Sequence, residues 1–154
     1  RAMPNTAALV GESITVMCAA QTVSPQEIQI ATDIMEAVGR VIWLQDESQM
    51  DAVTALSGSG PAYVFLFLDS LIKAGIAAGL PEDTAKQLAL ATVYGSSAMA
   101  SQSTRPFESL RKDVTSTGGT TEAALTVLMK DNLLESLIKD AILKATDRSK
   151  ELSK

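Results

Sequence analysis

Seven consecutive apolar residues, from Ala62 to Leu68, constrain the fold of this chain more than any other feature. Pro61 favours the first turn of a helix, and the apolar pattern continues that helix to Ile76. A helix that is apolar on every side is buried on every side, and one small domain offers few such places. The sequence therefore favours a helix that packs against a second protein chain.

A membrane span is the competing interpretation of the same helix. Asp69 and Lys73 interrupt the apolar run, and its uninterrupted length is well below the roughly 20 residues that a bilayer needs. We therefore expect no membrane partner.

The size and composition of the chain predict one mainly α-helical folded unit. Its 154 residues are enough for a single hydrophobic core, and aromatic residues make up only 4% of them. A core built from Ala, Leu, Ile, Val and Met suits close helix packing better than a β-sandwich. Helix signals predict helices over about 25–38, 48–57, 61–76, 81–101, 106–111 and 133–152, with another beginning near residue 121.

Two short segments near the N-terminus predict strands. Ile14–Cys18 is rich in β-branched and sulfur-containing residues, and Val41–Leu44 is a brief apolar run that fits a strand or a buried turn. We favour the strand for the second segment. Between the two, Ser24, Pro25 and Glu27 form the N-cap, first-turn proline and capping-box glutamate of a helix. The predicted fold is thus mainly α, with one or two short strands near the N-terminus.

Charge and residue types exclude several functions. A net charge of −5 at pH 7, with scattered basic residues, argues against nucleic acid or an anionic membrane as a partner. A single cysteine, Cys18, cannot form an internal disulfide, and no charged-then-apolar leader opens the sequence, so we expect a cytoplasmic protein. The absence of histidine excludes a Ser-His-Asp triad, a Cys-His pair and a His-containing zinc site, and we expect no metal.

Two glycine-containing segments are candidates for binding. Residues 58–61, Gly-Ser-Gly-Pro, lack the third glycine of a dinucleotide fingerprint and follow a helix, so a helix-helix corner is the better interpretation. Residues 115–122, Thr-Ser-Thr-Gly-Gly-Thr-Thr-Glu, lead into a helix whose N–H groups and positive dipole end suit a carboxylate or phosphate. An ordinary capped loop has the same residue types, and spacing alone leaves both interpretations open.

Three segments taken together resemble pyrroline-5-carboxylate reductases. Residues 1–7, Arg-Ala-Met-Pro-Asn-Thr-Ala, resemble that family's Met-Pro-Asn-Thr-Pro segment, and residues 56–63 resemble the start of its dimerisation helix. Residues 114–121 resemble its Val-Thr-Ser-Pro-Gly-Gly-Thr-Thr signature, and the similarity extends over the whole chain. The resemblance implies reduction of 1-pyrroline-5-carboxylate to L-proline with NADPH or NADH, the last step of proline biosynthesis.

The resemblance also implies an architecture. The family has an N-terminal Rossmann domain, followed by a helical domain of the 6-phosphogluconate-dehydrogenase-like C-terminal type. Residues 1–20 then correspond to a remnant of the Rossmann domain, and residues 21–154 to the helical dimerisation and substrate-binding domain. We expect a homodimer through the helices that start at Pro61 and Pro81, with the order beyond a dimer left open. Because most of the cofactor domain is missing, this chain alone is expected to be inactive; the alternative is a helical dimerisation module with no activity of its own.

The resemblance assigns site residues by position. It places Thr121 beside the imine nitrogen as the catalytic residue. The residues that it assigns to the substrate are Ser116, Gly118, Gly119, Thr120 and Thr121, and those that it assigns to the cofactor are Met3, Pro4, Asn5 and Thr6.

Three positions depart from the family pattern. Ala7 replaces the second proline of the first motif, Lys112 falls where Asp is common, and Thr117 replaces the proline before the paired glycines. A proline would fix φ and stiffen the loop, so Thr117 is expected to loosen the carboxylate site.

Overall fold

The computed structural model describes residues 1–153, which form three short strands and seven α-helices. The strands are β1 (Ala2–Met3), β2 (Ser13–Cys18) and β3 (Gly39–Leu44), and the helices are α1 (Pro25–Glu36), α2 (Met50–Val53), α3 (Gly60–Ala77), α4 (Glu82–Gln102), α5 (Phe107–Asp113), α6 (Thr120–Leu128) and α7 (Leu133–Leu152). A π-helical turn, Thr54–Gly58, follows α2, and short 3-10 turns cover Thr6–Val10, Glu47–Gln49 and Lys130–Asn132. The predicted mainly α fold is confirmed, and β1 adds a third strand of two residues to the predicted pair.

The start of α1 shows how local sequence fixes a helix end. The side chain of Ser24 accepts a hydrogen bond from the backbone N–H of Glu27 at 3.3 Å. In return the carboxylate of Glu27 accepts one from the backbone N–H of Ser24 at 2.8 Å. Hydrogen bonds from Ser24 lower the pKa of Glu27. The predicted capping box is therefore confirmed.

The three strands form one mixed sheet in the order β1-β2-β3. β1 pairs with β2 in the antiparallel sense, with Met3 opposite Val16. β2 and β3 are parallel, with Ser13 opposite Gly39, and α1 is the crossover that parallel neighbours require. The domain boundary predicted after residue 20 stays a prediction, and β3, which lies beyond that residue, pairs with β2.

The chain forms two compact units, and each is described by itself. The first unit contains Arg1–Val64 together with the segment that begins at Ile138, and the second contains Phe65–Leu137. In the first unit the hydroxyl of Ser149, on α7, donates a hydrogen bond of 2.7 Å to the carboxylate of Asp51, on α2. The C-terminal helix is therefore part of the same unit as the sheet.

The first unit has a small core under the sheet. Val16, Cys18 and Met50 are buried together, and Met3, Leu44 and Val53 pack against them from the edge. In the second unit α3 and α4 approach closely, since a Cβ added at Gly75 would lie 3.2 Å from the Cβ of Ala85. Ala85 and Ala89, on the small-residue face predicted for this helix, are both buried. Small side chains are what allow such a close helix approach.

The helical stretch from Glu47 to Ala77 is long and apolar enough to cross a membrane. It has 31 residues and a mean hydropathy of 1.3 over an 18-residue window, none of which is buried. Length and composition alone are weak support for a span, because an apolar helix that packs on another protein chain has the same values. The expected absence of a membrane partner stays a prediction.

The hydroxyl of Thr15 allows a test of the sheet. Thr15 lies at the centre of β2 with 0% exposure, and its Oγ1 has no hydrogen-bond partner in the described residues. A buried polar atom without a partner destabilises the folded state, so Thr15→Val is expected to raise the free energy of unfolding by about 1 kcal/mol in urea denaturation. The matched control is Thr32→Val, because the hydroxyl of Thr32 accepts from Trp43 at 3.1 Å and donates to Ile28 at 2.8 Å. In this control the free energy of unfolding should fall by about 1 kcal/mol. If the two substitutions had equal effects, the Thr15 hydroxyl would have a hydrogen-bond partner.

Candidate active site

The glycine loop, Thr115–Gly119, connects α5 to α6 through a tight turn. The backbone N–H of Gly119 donates to the carbonyl of Ser116 at 3.0 Å, and Gly118 has a φ of +72°. A turn whose third residue has a positive φ favours glycine there and proline at the second position. Thr117 occupies that second position, so the geometry of the turn fits the proline that the resemblance places there.

Gly119 is in close contact with Ser116. A Cβ at Gly119 would lie 2.4 Å from the Ser116 hydroxyl oxygen and 3.0 Å from the Ser116 carbonyl oxygen. Gly119 is also the N-cap of α6, with extended backbone and no side-chain cap. A side chain at Gly119 would therefore move the Ser116 hydroxyl away from the helix start.

The start of α6 has unused hydrogen-bond donors. Within residues 1–153, no acceptor takes the backbone N–H of Thr120, Thr121 or Glu122, because the helix ladder begins with Ala123 donating to Gly119. The N–H of Gly118 is taken by the carboxylate of Glu122, at 2.7 Å. The site therefore consists of three free N–H groups at a helix start, beside one N–H that the chain itself caps.

The side chains of the two threonines differ in exposure. Thr121 is half-buried, whereas Thr120 is exposed. The nearby hydroxyls of Thr115 and Thr126 donate to carbonyls four residues earlier, at 2.6 and 3.0 Å. In the described part of the chain, the hydroxyl of Thr121 has no such partner, which leaves it available to a ligand at the helix start.

Most of the charges before the glycine loop are paired with each other. Arg105 holds both carboxylate oxygens of Asp113, and this hydrogen bonding lowers the pKa of Asp113. Lys112 lies 2.7 Å from Glu108 and lowers its pKa in the same way. Arg111 is half-buried and makes no ion pair within residues 1–153. It borders a mainly apolar groove of about 440 Å³ between α4 and α5, lined by Ser96, Ser97, Met99, Ala100, Phe107, Leu110, Arg111 and Val114.

The four residues that the resemblance assigns to the cofactor lie together in the first unit. Met3 is in β1, Pro4 follows it, Asn5 is the N-cap of the Thr6–Val10 turn, and Thr6 opens that turn. They line a cleft of about 640 Å³, here called the N-terminal cleft, whose walls are formed by Met3, Pro4, Asn5, Thr6, Ala8, Leu9, Thr54, Gly58 and Ser59.

The second wall of the N-terminal cleft was missed by sequence reasoning. Thr54, Gly58 and Ser59 come from the π-helical turn and the bend that follows it, about 50 residues away from the first wall. The sequence predicted a helix-helix corner here, and the structure has a π-helical turn and a bend at Ser59. Nothing in the spacing indicated that this segment contacts Met3. The residues of the glycine loop belong to the second unit, and those of the N-terminal cleft belong to the first.

The fold and the loop define a class of protein: a small mixed sheet followed by a helical domain with a glycine loop before one of its helices. Residues 47–152 match the family described as pyrroline-5-carboxylate reductase dimerisation. This chain belongs to the pyrroline-5-carboxylate reductase family.

Similar proteins come from distant organisms. The pyrroline-5-carboxylate reductase of Pseudomonas aeruginosa is 43% identical over 153 residues, which are 99% of this chain and 56% of that protein. The reductase of Pisum sativum is 41% identical over 99% of this chain and 55% of its own length. The solved structure of the Coxiella burnetii reductase matches 100% of this chain and 57% of that one, with 45% identity and a TM-score of 0.95. The Plasmodium falciparum pyrroline carboxylate reductase, solved with NADP bound, has 36% identity and a TM-score of 0.91 over 99% of this chain and 62% of its own.

The chain thus spans a little over half the length of these relatives. What it shares with them is the family and the fold.

Proposed function

We propose that this chain is the substrate-binding and dimerisation part of an enzyme that reduces 1-pyrroline-5-carboxylate to L-proline with NADPH or NADH. The observation that carries the proposal is the start of α6, where the N–H groups of Thr120 and Thr121 and the half-buried hydroxyl of Thr121 have no partner among the described residues. The names of the relatives support the same reaction and a place in proline biosynthesis.

The substrate carboxylate suits the helix start. The free N–H groups and the positive end of the helix dipole favour an anion, and the absence of a side chain at Gly119 leaves room for the Ser116 hydroxyl beside the helix start. Ser116 adds a hydroxyl at the same place, 2.4 Å from where a Cβ of Gly119 would lie. We infer that Ser116, Gly118, Gly119, Thr120 and Thr121 form the carboxylate site.

The imine nitrogen of the substrate requires a hydrogen-bonding group, and Thr121 supplies one. A substrate that arrives as a protonated iminium needs no strong acid from the protein, which fits a chain without histidine. The nicotinamide, when bound, supplies the hydride that adds to the C=N carbon and turns the double bond into the single C–N bond of proline. The hydroxyl of Thr121 holds the nitrogen so that this carbon is correctly placed. NADP in the P. falciparum relative supports a nicotinamide cofactor here.

A homodimer is the proposed assembly. Large apolar side chains of α3 and α4 are exposed in the single chain, among them Phe65 at 65%, Leu66 at 67% and Tyr94 at 75%. Contiguous exposed apolar surface is typical of an interface between proteins. The family match, which is named for dimerisation, covers both helices. Assembly beyond a dimer and a cytoplasmic location remain predictions.

Substitution of Thr121 tests the proposed chemistry. The N-terminal cofactor domain of the P. aeruginosa relative, joined before Arg1, gives an enzyme in which this whole chain is present. We expect this fusion enzyme to oxidise NADPH in the presence of pyrroline-5-carboxylate. Thr121→Val should decrease kcat/KM by about ten- to a hundredfold, because a hydrogen bond to a charged group contributes about 1.5–3 kcal/mol. Thr126→Val, at an exposed threonine of the same helix outside the proposed carboxylate site, is the matched control and should change kcat/KM by less than about threefold.

Calorimetry on the chain alone separates the two candidate functions. Proline should bind to the isolated chain, and Thr121→Val should weaken that binding without loss of helix content. Two results together would favour the alternative of a dimerisation module without activity of its own. The isolated chain would form a folded dimer that binds no proline, and the fusion enzyme would show no turnover.

A further inference from the structure

Asn5 has hydrogen-bond partners within the first unit for its backbone and for its side chain. Its side-chain oxygen accepts from the backbone N–H of Ala7 at 3.2 Å, and its side-chain nitrogen donates to the carbonyl of Ser57 at 3.2 Å. Its backbone N–H donates to the hydroxyl of Ser13, which is 2% exposed, at 3.3 Å. Asn5 thus connects the start of the Thr6–Val10 turn, the strand β2 and the π-helical turn.

The backbone carbonyl of Ser57 is free to accept a hydrogen bond from Asn5 because residue 61 is a proline. In a regular helix the carbonyl of Ser57 would receive the backbone N–H of residue 61, but proline has none. The backbone hydrogen bonds here also depart from the α-helical pattern. The N–H of Ser59 donates to the carbonyl of Thr54, five residues earlier, at 2.8 Å, and the N–H of Ala62 donates to the carbonyl of Ser59 at 3.1 Å. The carbonyl of Ser57 is therefore left for a donor from outside the helix, and Asn5 provides it.

The two walls of the N-terminal cleft are in contact as well as hydrogen-bonded. A Cβ added at Gly58 would lie 3.2 Å from the sulfur of Met3, which is tighter than ordinary van der Waals contact. Turns of the π-helical kind are frequent at functional sites, where they redirect a helix and free its carbonyls. The position of Met3 and Pro4 against the turn is thus fixed by one hydrogen bond and one close contact.

We propose that Asn5 is a positioning residue, which holds the segment Met3–Thr6 on the π-helical turn so that the two together form the surface against which the nicotinamide ring lies. The inference rests on the proposed function, since it assumes that a dihydronicotinamide enters this cleft. It assigns Asn5 to the support of the surface, whereas the family pattern groups it with the residues near the cofactor. It also assigns the second wall, Thr54, Gly58 and Ser59, to the cofactor side of the site.

Asn5→Ser in the fusion enzyme isolates the bridge to Ser57. Serine is a good N-cap and keeps an acceptor for Ala7, but it has no donor that reaches the carbonyl of Ser57. We expect kcat to fall about tenfold and the isotope effect with 4-deuterated NADPH to increase, because misplacement of the ring slows hydride transfer itself. The KM for pyrroline-5-carboxylate should stay within about twofold of the wild-type value. Proline binding to the chain alone should be unchanged.

Gly58→Ala gives an independent test of the same surface. The added methyl group should displace Met3 and lower kcat by about threefold, whereas Gly60→Ala, which has open space around it, should leave kcat unchanged. One outcome would overturn this inference and leave the proposed function intact. The fusion enzyme would be active, and Asn5→Ser would change its thermal stability without altering kcat or the isotope effect. A wild-type fusion without turnover would overturn both.

Discussion

Replacement of Gly39 by alanine is expected to lower the free energy of unfolding by on the order of 4 kcal/mol, one of the largest effects of a single substitution in this chain. Gly39 has a φ of +151°, a conformation that L side chains rarely adopt. A Cβ at this position would lie 2.0, 2.5 and 2.6 Å from the carbonyl oxygen, nitrogen and carbonyl carbon of Ser13. All three are backbone atoms of the neighbouring parallel strand, so relief would require separation of β2 and β3 where they begin to pair.

Urea denaturation followed by the fluorescence of Trp43, which lies in β3, measures this effect directly. Gly11→Ala is the matched control, because Gly11 also has a positive φ, of +74°, but has no atom within 4 Å of its Cβ position. The free energy of unfolding of this control should fall by only about 1–2 kcal/mol, which is the strain of a non-glycine residue in the left-handed conformation. If both substitutions lowered stability equally, the close approach of the two strands would not be the reason for glycine at residue 39.

Gly119→Ala is expected to reduce the affinity of the chain for proline and the kcat/KM of the fusion enzyme by about a hundredfold each. The added Cβ would overlap the Ser116 hydroxyl, at 2.4 Å, and press on the Ser116 carbonyl, at 3.0 Å. The hydroxyl can rotate away, but the carbonyl accepts the N–H of Gly119 and closes the turn. The substitution therefore moves both the turn and the hydroxyl that is proposed to bind the carboxylate.

Gly118→Ala separates steric overlap from backbone strain in the same loop. Gly118 has a φ of +72° and open space at its Cβ position, so alanine there adds strain without a new contact. We expect about a tenfold loss of proline affinity, which is clearly smaller than the loss at Gly119. Circular dichroism of both variants should show unchanged helix content, and proline binding to Gly119→Ala at wild-type affinity would remove the glycine loop from the proposed site.

The regular parts of the fold could be predicted from sequence because local signals determine them. The capping box at Ser24 places the start of α1, and the apolar stripe of the last helix predicted its bounds, Leu133–Leu152, as the structure has them. The strand β1 could not be predicted, because its two residues have no periodicity and acquire their conformation by pairing with β2. The π-helical turn was also missed, since an extra residue in a helix leaves the composition unchanged.

The candidate site was predictable to different degrees in its two parts. The glycine loop has residue types that fit an anion site, and the free N–H groups of Thr120 and Thr121 agree with that interpretation. The N-terminal cleft depends on contacts between residues that are about 50 positions apart, such as Asn5 and Ser57. No short window of sequence contains both partners, so the resemblance could name one wall of the cleft only.

The division of the first unit between the two ends of the chain affects how the protein folds during synthesis. Residues 1–64 are synthesised before the second unit, whereas the part of α7 that contains Ser149, which bonds to Asp51, belongs to the first unit but is synthesised after the second. The second unit, Phe65–Leu137, is contiguous and can fold as soon as it has been synthesised. The contact between Asp51 and Ser149 therefore cannot form until the whole second unit and the start of the last segment have been synthesised, so completion of the first unit depends on residues that are far apart in the chain.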